Sequence, residues 1–225
     1  MPPSLQFRID SSGSIVEMLR NAQVGPNLYP CVPPEFTNWR DEQWAWQNTC
    51  VLFDLSYHMV DLAVSGPDAL DLLTRVGFNS FEGFEVDNAK HLAPCSPDGY
   101  VIGDVILFYL APERFNLVGR VPCLNWIMYQ AEKGGYDVSC EIDQRTALRE
   151  DKSRRKSYRL QLQGPNALAL TEKVLGSAPP NVRFFHMATV EIADHPVRAL
   201  RHGMVGQPGF ELFGPWGDKE AVVGA

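Results

Sequence analysis

No two cysteines in this chain stand in a C-x-x-C arrangement: Cys31, Cys50, Cys95, Cys123 and Cys140 are odd in number and widely spaced. That argues against a disulfide framework and a structural zinc site, and leaves reduced, buried thiols as the expectation. The five histidines form neither H-E-x-x-H nor H-x-H, so no metal centre is expected. A P-loop and a G-x-G-x-x-G fingerprint are both missing, which removes the usual phosphate cradles. Basic charge is short as well: 20 Lys and Arg face 27 Asp and Glu, a net charge of −7 that does not suit a nucleic-acid partner. The longest apolar stretch, YVIGDVILFYLA, is too short to span a bilayer and is broken by Asp104. The opening MPPSLQFRIDSSGS has no basic stretch leading into an apolar run, so no secretory leader is expected. A cytoplasmic protein with a small-molecule partner, and with neither membrane nor nucleic acid, fits these absences.

What the chain does have is enough apolar content, 45% over 225 residues, to core one large or two small domains. It also has an internal repeat. Residues 61 to 76, DLAVSGPDALDLLTRV, align with residues 159 to 174, RLQLQGPNALALTEKV, and seven of sixteen places are identical. Each copy alternates like a half-buried strand, passes through Gly-Pro, and continues at helical spacing. Two copies half a chain apart predict two related lobes with a ligand cleft between them.

Elsewhere VIGDVILFYL and FNLVGRV flank APER as one hairpin, and ATVEIA and VRALRHGM flank DHP as a second. Strands and helices mix without regular alternation, so the fold class is α+β: two related lobes of antiparallel sheet with helices. Residues 1–150 form the first lobe with an N-terminal extension, and residues 151–225 the second, incomplete at its C-terminus. Trp39, Trp46 and Cys50 lie at helical spacing and read as core. The stretch 145 to 159, RTALREDKSRRKSYR, carries seven basic residues against two acidic ones and reads as a solvated connector.

The segment HGMVGQPGFELFGPW, residues 202 to 216, places Gly203, Gly206 and Gly209 at every third position ahead of a single acid, Glu211. Such spacing suits a tight, closely packed turn rather than a phosphate loop. A carboxylate beside Phe210 and Phe213 suits a planar array of N–H donors.

LRHGMVGQPGFELFGP resembles the S-R-T-G-Y-T-G-E-D-G-F-E-I signature of the aminomethyltransferase family, the T-protein of glycine cleavage. The resemblance continues through FDLSYHMVDLAVSGPDA, GYVIGDVILFYL and LQLQGPNA, four motifs in order over roughly residues 40 to 214. It implies the family's folate-binding fold, whose members run on into a further domain, and tetrahydrofolate as cofactor. Glu211 would grip the pterin ring, with Gln163, Asp104 and Phe185 as further folate contacts. Asp104 matches the second acid of the family's Asp-Asp pair, while Gly103 stands where the first would be. That departure counts against aminomethyl transfer as the T-protein performs it.

Within the family, NLYP, SYHM and VGRV are similar to tetrahydrofolate-dependent O-demethylases of lignin-derived aromatic acids such as vanillate and syringate. The resemblance implies that Tyr29, His58 and Arg120 line the aromatic-acid site, Arg120 as a planar fork for the benzoate carboxylate and Asp104, His58 and Tyr29 as the catalytic set. Two other readings stay open. One is a demethylase or aminomethyltransferase for a small aliphatic donor of the glycine-cleavage, dimethylglycine or dimethylsulfoniopropionate type, where a cationic donor would favour acids over Arg120. The other is a non-catalytic folate-binding module, whose K-G-C-x-x-G-Q-E signature these residues do not carry.

Overall fold

A computed structural model describes residues 5–20, 37, 39–57, 59–144 and 155–225. Helices α1 (Leu5–Ser11), α2 (Ile15–Arg20) and α3 (Trp39–Asn48) precede the first strand. The strands then form two antiparallel sheets. One holds, in spatial order, β3 (Ala89–Leu92), β4 (Val105–Ala111), β5 (Arg114–Gly119), β2 (Val60–Ser65) and β6 (Ser139–Asp143). The other holds β1 (Val51–Asp54), β7 (Ser157–Gln163), β10 (Gly209–Pro215), β9 (His195–Arg201) and β8 (Met187–Ile192). Helices α4 (Ala69–Val76) and α5 (Val121–Gly134) core the first sheet, and α6 (Ala167–Leu175) and α7 (Lys219–Gly224) the second. The fold is α+β and antiparallel, as the mixed pattern of strands and helices predicts.

Reading β8-β9-β10-β7-β1 against β3-β4-β5-β2-β6 shows one strand order used twice. The repeat is equally close in its turns. Gly66 and Gly164 both take left-handed φ values, 135° and 128°, and a Cβ on either would sit 2.4 Å from the Asp137 carbonyl or 2.5 Å from that of Thr49. Only glycine fits a positive φ under a backbone carbonyl. After each, Asp68 and Asn166 adopt nearly the same φ, −93° and −94°, and start α4 and α6.

The last strand of each sheet departs from this order. β1 comes from the first half of the chain yet pairs with β7, Val51 opposite Gln163 and Asp54 opposite Leu160. The second sheet therefore draws on both sides of position 150. VLFDLSYHMVDLAV reads as one extended stretch, but its two strands lie in different sheets.

Each sheet has its own apolar cluster, one around Leu62, Leu107 and Leu124 and one around Tyr158, Val197 and Phe210. A third cluster joins them: Ala89, Phe108 and Val118 of the first sheet pack against Met187, Leu200 and Phe213 of the second. Phe108 and Phe213 meet edge to face at 5.2 Å. Both expected hairpins form, β4–β5 and β8–β9. The second turns through Ala193 and Asp194, both at positive φ, which matches the twist of its strands.

Two expectations fail. No residue of α3 is buried, and Trp39 and Trp44 are 49% and 60% exposed; among the described residues, of these tryptophans only Trp46 has an aromatic ring partner, Phe53 at 5.3 Å. Helical spacing marks a shared face, and here that face has little sheet to cover it. The basic stretch 145–159 is not wholly a solvated connector: Arg155 and Arg159, at its described end, are buried and ion-paired.

Candidate functional site

Glu211 sits on β10, a strand flanked by β7 and β9, with Gln161 and Leu200 as its register neighbours. Both faces of β10 are covered, so the carboxylate is only 3% exposed. The turn before it is as tight as its glycines predict. A Cβ on Gly203 would lie 2.0 Å from the Gln207 carbonyl, and one on Gly209 would lie 2.1 Å from that of Leu162. The segment thus folds back on β7, where Gln163 accepts a hydrogen bond from the Met204 N–H at 3.2 Å and Gln161 donates to the His202 carbonyl at 3.0 Å.

Among the described residues the Glu211 carboxylate has two partners. Arg159 donates from Nη1 to Oε1, and His202 Nδ1 lies 3.1 Å from Oε2. Burial works against the Glu211 charge, but the Arg159 guanidinium and the His202 bond outweigh it and hold the carboxyl below its ordinary range. Arg159 is itself a bridge. Its Nη2 donates to Asp61 Oδ1 at 2.9 Å, and its guanidinium lies 4.9 Å from the ring centres of both Phe108 and Phe213.

Asp61 also takes Arg155 at 2.8 Å and Asn116 at 2.9 Å. Burial opposes its charge too, and the two guanidinia again prevail and lower its carboxyl. Asp143, opposite Asp61 in the sheet, goes the other way: Arg155 reaches it only at 3.6 Å, and burial raises its carboxyl. The result is a buried chain, Glu211–Arg159–Asp61–Arg155–Asp143, running from the second sheet into the first.

A cavity of about 400 Å³ opens between the sheets beside Glu211. The first sheet contributes Asp104 at the entry to β4 and Arg120 at the start of α5; the second contributes Glu211, Gln161 and His202. Three of the residues singled out in the sequence, Asp104, Arg120 and Glu211, therefore converge on one space. A second cavity, about 440 Å³, lies on the far side of Arg159, and none of those three lines it.

The remaining sequence candidates fall differently. Asp104 is not within a strand but just ahead of β4, with its side chain 76% exposed and 3.8 Å from His91 Nδ1. Arg120 is exposed, and among the described residues no carboxylate pairs with it. A Cβ on Gly103 would meet that of Cys123 at 3.3 Å, so a second acid beside Asp104 would press on α5. Gln163 stands behind the wall rather than in it; Gln161, two residues earlier on the same strand face, is the amide that faces the cavity. Phe185 also stands behind, packed against His202 at 5.2 Å and His91 at 5.6 Å, both of which do line the space. Tyr29 and His58 lie outside the described residues.

Sequence reasoning missed His91, Gln161, His202 and Arg159. Arg159 and its partner Asp61 hold the same place in the two repeat copies, a mismatch of opposite charges that was the available signal. Among the described residues no cluster of His, Cys, Asp or Glu is placed to hold a metal ion, and no helix is long and apolar enough to cross a membrane.

Residues 17–225 match the family model of the GCVT N-terminal domain. Along its whole length the chain is 55% identical to a syringate O-demethylase of Sphingobium sp. (strain NBRC 103272 / SYK-6), covering 48% of that protein. It is 29% identical over 194 residues to an aminomethyltransferase of Lysinibacillus sphaericus, covering 86% of this chain and 50% of the relative. Among solved structures it resembles the glycine cleavage system aminomethyltransferase T of Bartonella henselae, with a TM-score of 0.64 and 23% identity over 82% of this chain and 47% of the other. The chain thus spans about half the length of the curated relatives it matches.

Proposed function

The chain belongs to the GCVT aminomethyltransferase family, and from that premise we propose that it serves tetrahydrofolate-dependent O-demethylation of a methoxylated aromatic acid of the vanillate or syringate type in the cytoplasm. The observation that carries this reading is the convergence of Glu211, Asp104 and Arg120 on one cavity between the sheets.

The residues present fit a folate. Glu211 has about four lone-pair sites, of which Arg159 and His202 take two, leaving one on each oxygen for the paired N–H donors of an aminopyrimidine edge. Among the described residues the buried Gln161 Oε1, on the amide that faces the cavity, has no hydrogen-bond partner, which leaves hydrogen-bonding capacity beside the same ring. Bound tetrahydrofolate supplies N5 as the methyl acceptor.

The chain's own part is to orient and to hold charge. Arg120, exposed and unpaired among the described residues, offers two parallel donors to a benzoate carboxylate and so fixes the ring. Asp104, which lines the same cavity, would accept N–H bonds from the folate. A phenolate leaves poorly without a donor at the ether oxygen, and by resemblance His58 and Tyr29 are assigned to the ring oxygens. Alignment of two bound molecules then supplies most of the acceleration. Arg120 favours an anionic donor over a cationic aliphatic one.

The test is incubation of the protein with tetrahydrofolate and either vanillate or syringate, read by mass spectrometry for 5-methyltetrahydrofolate and the matching phenol. Arg120→Ala is expected to raise the KM for the aromatic acid about 10- to 100-fold, the size of a lost charge-assisted pair. An unchanged KM would remove the carboxylate clamp, and product formed only from dimethylglycine or sarcosine would move the substrate to the aliphatic class.

A further inference from the structure

We propose that Arg159 is a positioning residue for folate binding: it aims the Glu211 carboxylate into the cavity and ties that carboxylate to the first sheet through Asp61. This inference rests on the reading of the cavity as a folate site.

Arg159 is 3% exposed and held from four directions. Asp61 and Phe108 come from the first sheet, Glu211 and Phe213 from the second. Among the described residues it is the one that lines both cavities, so its guanidinium forms the partition between them. A planar fork suits this position because it donates to a carboxylate on each side while lying between two rings; an ammonium is a point charge and fixes no plane.

The geometry at Glu211 follows from that plane. With Arg159 on Oε1 and His202 on Oε2, the carboxylate cannot rotate without losing a bond, and its remaining lone pairs stay directed to the cavity. Of the charged or titratable groups nearby, Arg159 (β7) and His202 (following β9) touch Glu211. His91, Asp104 and Arg120 line the same cavity, while Asp61, Arg155 and Asp143 lie behind Arg159. Of these, only the guanidinium offsets the burial of Glu211 with a permanent charge in contact.

Two variants test the assignment, each measured for tetrahydrofolate affinity by anaerobic calorimetry from about pH 5 to about pH 8, with circular dichroism to verify the fold. The wild-type pH profile over this range is the reference. Arg159→Lys keeps the charge but loses the fork, and should bind about tenfold more weakly with a profile parallel to wild type. Arg159→Met combined with Asp61→Asn removes the guanidinium together with its acid in the first sheet, so that Glu211 alone loses its charged partner. There the affinity should also fall, and should weaken further as pH drops through this range, because Glu211 now takes up a proton. A general loss of structure would not create that acid limb.

A folded double variant with wild-type affinity and the wild-type pH profile overturns the proposal while leaving the folate site standing. Should the double variant fail to fold, Arg159→Lys decides: affinity within about twofold of wild type overturns the proposal. Failure of the wild-type protein to bind tetrahydrofolate ends the folate reading and this proposal with it.

Discussion

The two copies of the strand–Gly-Pro–helix unit share a backbone and divide the chemistry unequally. β2 buries Val60, Leu62 and Val64 on one face, and on the other buries Asp61 but leaves Ala63 exposed. β7, its counterpart, is buried at every position after the first and carries Arg159, Gln161 and Gln163 where β2 has Asp61, Ala63 and Ser65. The correspondence extends to the neighbouring strand. Asn116 lies opposite Ala63 and Glu211 lies opposite Gln161, so these two residues are also equivalents. Asn116 bonds Asp61, Glu211 bonds Arg159, and Asp61 bonds Arg159 across the sheets. The turns preserve the backbone, and polar replacements in one copy give a shared scaffold a candidate site.

The comparison breaks most sharply at the two glycines that define it. Alanine at Gly66 or Gly164 would hold a left-handed φ with its Cβ 2.4 or 2.5 Å from a carbonyl oxygen. Each substitution should cost on the order of 3 kcal/mol of stability, measured as a shift in the urea midpoint. Their effects on function should differ. Gly164→Ala displaces the end of the strand that carries Gln163 and Gln161 and should weaken tetrahydrofolate binding under conditions where the protein is still folded. Gly66→Ala, at the end of β2, should leave binding nearly intact. Equal losses of binding would mean that the site is not seated in the second copy.

The acids sharpen the comparison next. Glu211 and Asp61 both have carboxyls lowered from their ordinary values of 4.5 and 3.8, burial opposing the charge and the guanidinia overcoming it. Between folded and ordinary values the unfolded chain binds more protons, so this stability is complete above the ordinary carboxylate range and drains away as pH falls through the folded values. Urea midpoints should accordingly hold from neutral pH down to that range and then decline. Glu211→Gln should cost about 2 kcal/mol at neutral pH and reduce the steepness of the acid decline. A decline as steep as wild type would assign the acid sensitivity to the Asp61 side of the chain.

Much of this fold is legible in the order of the amino acids. The repeat predicts two matched sheets, the flanking apolar runs predict both hairpins, and the triple glycine predicts the turn ahead of Glu211. The pairing of β1 with β7 is not legible, because no turn signal in FDLSYHMVDLAV marks the crossing from one sheet to the other. Nor is the burial of Arg159. Its partners are 52 and 98 residues away, and without them a lysine- and arginine-rich stretch reads as a solvated face. The amides on β7 illustrate a smaller limit: Gln161 and Gln163 share one strand face, and only the fold-back of residues 202–208 decides that the first faces the cavity and the second is covered.

The smallest effect lies in the first copy, at Asn116, and is informative because its equivalent is Glu211. Asn116 is half-buried and gives Asp61 one hydrogen bond from an uncharged donor at 2.9 Å, while Asp61 keeps two guanidinia at 2.8 and 2.9 Å. Asn116→Ala should therefore cost only about 1 kcal/mol, since the acid it abandons is not left alone. Tetrahydrofolate affinity should stay where it is, because Asn116 lines the far cavity and touches neither Glu211 nor the space beside it. Thermal unfolding with a parallel binding measurement checks both halves. A loss of affinity approaching that of Glu211→Gln would show that the far cavity communicates through Asp61 and Arg159 with the near one, and that the two copies form one functional unit rather than a scaffold and a site.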